Sequence, residues 1–115
     1  MVASKRAQVW GRRSRTSDPM ASVVVTPTAA SDLARLIDTH SLPVDIIIRF
    51  KRSIAPLGRF PRMGAPLHGR WTNYRFVLGP WRWMLVIYVY DETLDRVAIV
   101  TVQDARGSRA ATSAT

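Results

Sequence analysis

The sequence predicts an α+β domain: a short N-terminal strand, a two-helix hairpin, and a three-stranded antiparallel meander packed on the helices. Three observations predict it. Residues 22–25, Ser-Val-Val-Val, are a short strand-forming run that stops at Thr26-Pro27. Residues 27–57 carry apolar side chains at helical spacing, interrupted once at Ser41-Leu42-Pro43. Residues 70–78, 82–90 and 96–103 are rich in β-branched and aromatic residues, with Gly79-Pro80 and residues 91–95 as turns between them.

Thr26 is placed to cap a first helix that begins at Pro27, where the missing N–H is harmless. Ala29, Ala30, Leu33, Leu36 and Ile37 recur on one face, Asp32 lies in the early turns, and the helix should stop near Thr39-His40. The second helix restarts at Ser41-Leu42-Pro43 with Asp45 near its positive end. Val44, Ile47, Ile48, Lys51, Ile54 and Ala55 form its expected inner face, widened by Ile46, Phe50 and Leu57, and Pro56 and Gly58 end it. Residues 59–69 read as a connector that also offers basic side chains.

If Pro80 takes the second position of a four-residue turn over residues 79–82, Val77 faces Met84, Arg75 faces Val86 and Asn73 faces Tyr88. Alternation then puts Trp71, Asn73, Arg75, Val77, Arg82, Met84, Tyr88 and Tyr90 on one face. Tyr74, Phe76, Leu78, Trp83, Leu85, Ile87 and Val89 share the other. The second set is nearly all apolar and is expected against the helices; the first, basic and aromatic, is expected to be an open binding surface.

With 115 residues and 47% hydrophobic content, the chain suits one domain able to bury a core. Residues 20–109 are assigned to it, residues 1–19 to a basic, disordered extension and residues 110–115 to a flexible tail. The absence of cysteine excludes disulfides and thiolate metal sites. His40 and His68 show no ligand constellation, and neither a membrane span nor a secretory leader is recognisable. The net charge of +9 favours an acidic partner. Much of it lies in Lys5, Arg6, Arg12, Arg13 and Arg15, which suit either a phosphate-gripping arm or an extension upstream of a start at Met20.

Taken in order, several stretches resemble the RelE/ParE superfamily of bacterial toxins. They are residues 26–33 (Thr-Pro-Thr-Ala-Ala-Ser-Asp-Leu), the Phe60-Pro61-Arg62-Met63-Gly64 turn, Tyr74-Arg75, Tyr88-Val89-Tyr90-Asp91, and residues 97–102 followed by Arg106. The resemblance spans residues 23–109 and rests on order and spacing. It implies the cytoplasmic toxin of a type II toxin–antitoxin (plasmid stabilisation) module, neutralised by a cognate antitoxin, with no cofactor and no membrane partner. RelE-like members cut mRNA on the ribosome, whereas ParE-like members inhibit DNA gyrase.

RNA cutting needs cations around a phosphorane-like charge and a carrier for the ribose 2′-proton. The resemblance assigns the cations to Arg75, Arg82 and Arg106, with Tyr88 or Tyr90 to stack a base or move a proton. Trp71, Asn73, Tyr90, Arg62 and Arg70 are the expected contacts to nucleic acid or another target. Trp71 and Trp81 suit packing as well as they suit stacking.

The chain departs from the RNA-cutting pattern in three places. Val77 stands where a second Lys is common, no Tyr follows Arg106, and Gln103-Asp104-Ala105 replaces the His that commonly precedes the last Arg. The catalytic set is therefore incomplete, and a non-enzymatic nucleic-acid-binding module or a degenerate toxin-fold protein is the alternative.

Overall fold

The computed structural model describes residues 20–107 and 110–112. In chain order it contains β1 (Ser22–Val25), α1 (Pro27–His40), α2 (Ile46–Ile54), a 3-10 turn (Ala55–Gly58), β2 (Ala65–Pro66), a second 3-10 turn (Gly69–Trp71), β3 (Arg75–Leu78), β4 (Met84–Asp91) and β5 (Arg96–Asp104). One five-stranded sheet has the order β1-β5-β4-β3-β2. β1 lies parallel to β5, and the other neighbours are antiparallel. The strand, helical hairpin and meander are those expected; β2 is an addition from the connector. Its Pro66 is tolerated because the strand lies at the edge of the sheet.

The start of α1 is built as its sequence suggests: Thr26 Oγ accepts from the Ala29 N–H at 3.2 Å, and Pro27 leads the helix. Thr26 also donates from its hydroxyl to the Ile99 carbonyl at 2.8 Å, tying the cap to β5. Where β1 ends, Asp32 of α1 takes over as acceptor for β5. Its Oδ2 accepts from the Thr101 hydroxyl and from the Val102 N–H, and its Oδ1 pairs with Arg35 at 2.8 Å. Asp32 is buried, so these bonds offset the cost of taking its carboxylate out of water.

α2 begins later than expected and turns a different row inward. Ile46, Phe50 and Ile54, spaced by four, are buried, and Leu57 extends them. Val44, Ile47 and Ile48, expected inside, are 102%, 44% and 56% exposed. Every apolar position on this short helix competes for the core, and a stretch apolar on two sides does not specify which row wins.

The facing of the meander is reversed from expectation. Met84, Val86 and Tyr88 of β4 join Val23, Leu33, Phe50, Val97 and Ile99 in the core beneath the helices. Leu85 and Ile87 point to the opposite side, where Leu67, Ala110 and the flanks of Trp71, Tyr74 and Phe76 cover them. Ala110 is therefore packed, and the Ala111 N–H donates to Gln103 Oε1 at 2.8 Å, so residues 110 and 111 are not the loose tail expected. The basic extension assigned to residues 1–19 lies outside the described residues.

The first hairpin is also wider than expected. Gly79 N–H donates to the Met84 carbonyl at 2.8 Å, so residues 80–83 form the loop. Arg75 then pairs with Tyr88 and Val77 with Val86, a slip of two positions that leaves side-chain parity intact. In β5 the pairing jumps from Ile87↔Thr101 to Tyr88↔Ile99, a bulge at Val100. This extra residue lets Val97, Ile99 and Val102 share the helix side despite their odd spacing.

Asp32→Ala should strand the Val102 N–H and the Thr101 hydroxyl and cost about 1–3 kcal/mol of stability, read as a lower urea midpoint at unchanged slope.

Candidate functional site

The three arginines expected to converge are divided between the two ends of the sheet. Arg75 sits opposite Tyr88, whereas Asp104, two residues before Arg106, sits opposite Met84. Four residue steps along β4, from Met84 to Tyr88, separate the two positions, roughly 13 Å at ordinary strand rise. Arg82 lies exposed in the 80–83 loop, nearer the Arg106 end.

At the Arg75 end, the Gly64 peptide is held from both sides. Arg75 Nη1 donates to the Gly64 carbonyl at 2.7 Å, and the Gly64 N–H donates to Tyr88 Oη at 2.9 Å. Tyr88 is fully buried, so it is a support for this turn and offers no face to a base. Burial pushes its hydroxyl up; the Gly64 amide and the Arg75 charge offset this in part. Gly64 is required by space: a Cβ there would lie 2.7 Å from the Phe76 carbonyl and from the Tyr88 ring.

Arg62 and Tyr90, expected to contact a target, are tied to the β4–β5 turn. Arg62 stands 5.0 Å over the Tyr90 ring and pairs with Glu92, and the Tyr90 hydroxyl donates to Asp95 Oδ1 at 2.7 Å. That bond to Asp95 raises the Tyr90 hydroxyl above its ordinary value. Trp71 and Asn73 precede β3 and do not sit on the sheet face expected of them. Trp71 belongs to a 3-10 turn and meets Tyr74 edge-on at 5.5 Å, while Asn73 is exposed with a φ of 84°. Arg70, in the same 3-10 turn, is exposed.

The richest chemistry gathers at the Arg106 end, around a residue the sequence did not single out. His40, the last residue of α1, stacks on Trp83 with 4.5 Å between ring centroids and 18° between planes. Its Nε2 lies 3.2 Å from Asp104 Oδ2 and 3.2 Å from Arg106 Nη2. Arg106 grips Asp104 through Nε and Nη2, both at 2.9 Å, and its guanidinium lies 4.8 Å over Trp83. Trp81 continues the row, 6.3 Å from Trp83 and beneath the Arg49 guanidinium at 5.8 Å. The cluster joins a helix end, a loop and a strand end, so it presents a guanidinium, an imidazole, a carboxylate and two indoles to one partly open surface. His40 and Asp104 lie 64 residues apart, and no local pattern links them. The visible signal is Trp81-Arg82-Trp83, two indoles flanking a cation in a turn.

The Arg106 side chain, donating to Asp104, holds that carboxyl at about 2, below its ordinary 3.8. An acid depressed by folding stabilises the fold while ionised. The contribution is complete above about pH 4 and is lost as pH falls toward the folded value. The stability advantage of the wild type over Arg106→Gln should therefore be constant near neutrality and shrink in acid, as followed by thermal melts. Gly64→Ala should cost about 1–3 kcal/mol, because a backbone carbonyl and a buried ring must move; denaturant titration checks it.

No protein-family model matches the chain, and no curated protein matches it. Among solved structures, it is similar to a chain of the RelBE2 toxin–antitoxin complex from Mycobacterium tuberculosis, with a TM-score of 0.55 and 25% identity. The match covers 76% of this chain and 94% of that one. With a strand, a helical hairpin and an antiparallel meander in the expected order, the chain has the fold of the RelE/ParE toxins.

Proposed function

We propose that the chain is the toxin of a toxin–antitoxin pair and that it cuts RNA. The toxin assignment is supported by the likeness to the RelBE2 complex. The RNA-cutting assignment is carried by one observation, the contact of Arg106 with His40 over Trp83. A guanidinium suits a phosphate, an imidazole suits a proton, and an indole suits a base. Arg82, exposed in the adjoining loop, adds a second cation. Arg75 and Tyr88 hold the Gly64 turn at the other end of the sheet, and ribosome-bound mRNA is the substrate class.

The antitoxin partner fits the outer side of α2. Ile47 and Ile48 are exposed there, with Val44 exposed just before the helix, and the same short segment carries Arg49, Lys51 and Arg52. An acidic amphipathic segment would cover the apolar row and complement the charge. Among the described residues, no helix is long and apolar enough to cross a membrane.

A second reading, a non-enzymatic nucleic-acid-binding module, is favoured by the exposed Arg70 and Arg82 and by the stacked Trp81 and Trp83, which suit phosphate and base contacts without any chemistry. Expression without an antitoxin separates the readings. The proposed function expects growth arrest with cleaved transcripts and normal DNA supercoiling, relieved by Arg82→Ala plus Arg106→Ala in a variant that still folds. Supercoiling loss with intact transcripts would point to gyrase, and unimpaired growth with salt-sensitive nucleic-acid binding would point to the binding module.

A further inference from the structure

The hydrogen-bond partners of His40 are set by its surroundings. Leu36 presents a carbonyl 3.3 Å from Nδ1, and a carbonyl only accepts, so this contact is a hydrogen bond in the tautomer that carries its proton on Nδ1. The Thr39 hydroxyl, 3.0 Å from the same nitrogen, donates to the Arg35 carbonyl and can accept from Nδ1 as well. Nε2 is the nitrogen left to exchange, and it lies between a group that only donates, Arg106, and an ionised group that only accepts, Asp104. A bare Nε2 is met by the Arg106 N–H, and a protonated Nε2 is met by the Asp104 carboxylate. Both states have a partner without any rotation of the ring, which the stack on Trp83 holds in place. The charged groups facing it are Asp104 and Arg106 from the end of β5. α1 contributes the Leu36 carbonyl and the Thr39 hydroxyl, and the 80–83 loop contributes the uncharged Trp83 and, nearby, the cation Arg82.

We propose that His40 is a catalytic residue, exchanging the ribose 2′-proton at Nε2 while Arg106 holds the scissile phosphate. This rests on the RNA-cutting reading. The grip on Asp104 uses Nε and Nη2 of Arg106, so Nη1 is the donor assigned to the phosphate. In the step itself, the 2′-oxygen bonds to phosphorus as its proton passes to Nε2. The bond from phosphorus to the 5′-oxygen breaks, and that oxygen takes a proton from water. The imidazolium, with Nε2 beside Asp104 Oδ2, then returns its proton to water, so the products are a 2′,3′-cyclic phosphate end and a 5′-hydroxyl end.

Single-turnover cleavage of ribosome-bound mRNA by the full chain, followed from acid to neutral pH, tests this. His40→Gln keeps a side chain able to donate and accept hydrogen bonds but not to exchange a proton. It should lose about 10²-fold or more in rate and lose the acid limb of the wild-type profile. Added imidazole should restore part of the rate to His40→Gly. His40→Gln cutting within about threefold of wild type, with the acid limb intact, overturns the proposal and leaves the RNA-cutting reading standing. A wild-type chain that cuts no RNA at any pH overturns both.

Discussion

The structure depends on a central strand that is buried on both sides. From Met84 to Tyr88 every residue of β4 is at most 2% exposed, with helices over one face and the 67–74 segment and Ala110 over the other. Such a strand can sit only inside the sheet, with β3 and β5 as its neighbours. It needs two covers, and the protein supplies them from different parts of the chain. The helical hairpin comes before the meander in sequence, and the second cover comes from the connector and from the residues that follow β5.

This double burial shapes the site. Because the helices claim the Met84, Val86 and Tyr88 side, the described residues form no broad open sheet face lined with arginines. Polar chemistry is displaced to the ends. At one, Arg75 and Tyr88 spend their polar groups on the backbone of Gly64. At the other, α1 ends at His40, and the loop after β3 and the end of β5 meet it. The bulge at Val100 belongs to the same design: it brings Val102 into the core and its N–H to Asp32, two residues before Asp104. A bond deep under α1 thus helps to fix the strand end that carries the candidate site.

The Asp104–Arg106 pair has a double character. It fixes the guanidinium over Trp83 and, in the same geometry, offsets its charge. Arg106 is 60% exposed at its side chain while Asp104 is 26% exposed, so the cation is the member that faces outward. From solvent, the guanidinium comes first and the carboxylate lies behind it.

Local physics was legible in the residues alone. Thr26-Pro27 announces a helix start, Gly79-Pro80 a turn, and the β-branched runs their strands, because caps, turns and propensities act over a few positions. Parity along the first hairpin was legible too, since alternation survives a slip of two positions. Which face meets the helices was not, because β4 is apolar on both sides and alternation then carries no sign. For the same reason α2, with isoleucines on several sides, did not reveal that Ile46, Phe50 and Ile54 would turn inward. The meeting of His40 with Trp83, Asp104 and Arg106 was decided by tertiary structure alone, since it depends on where α1 stops over a sheet strand more than sixty residues later.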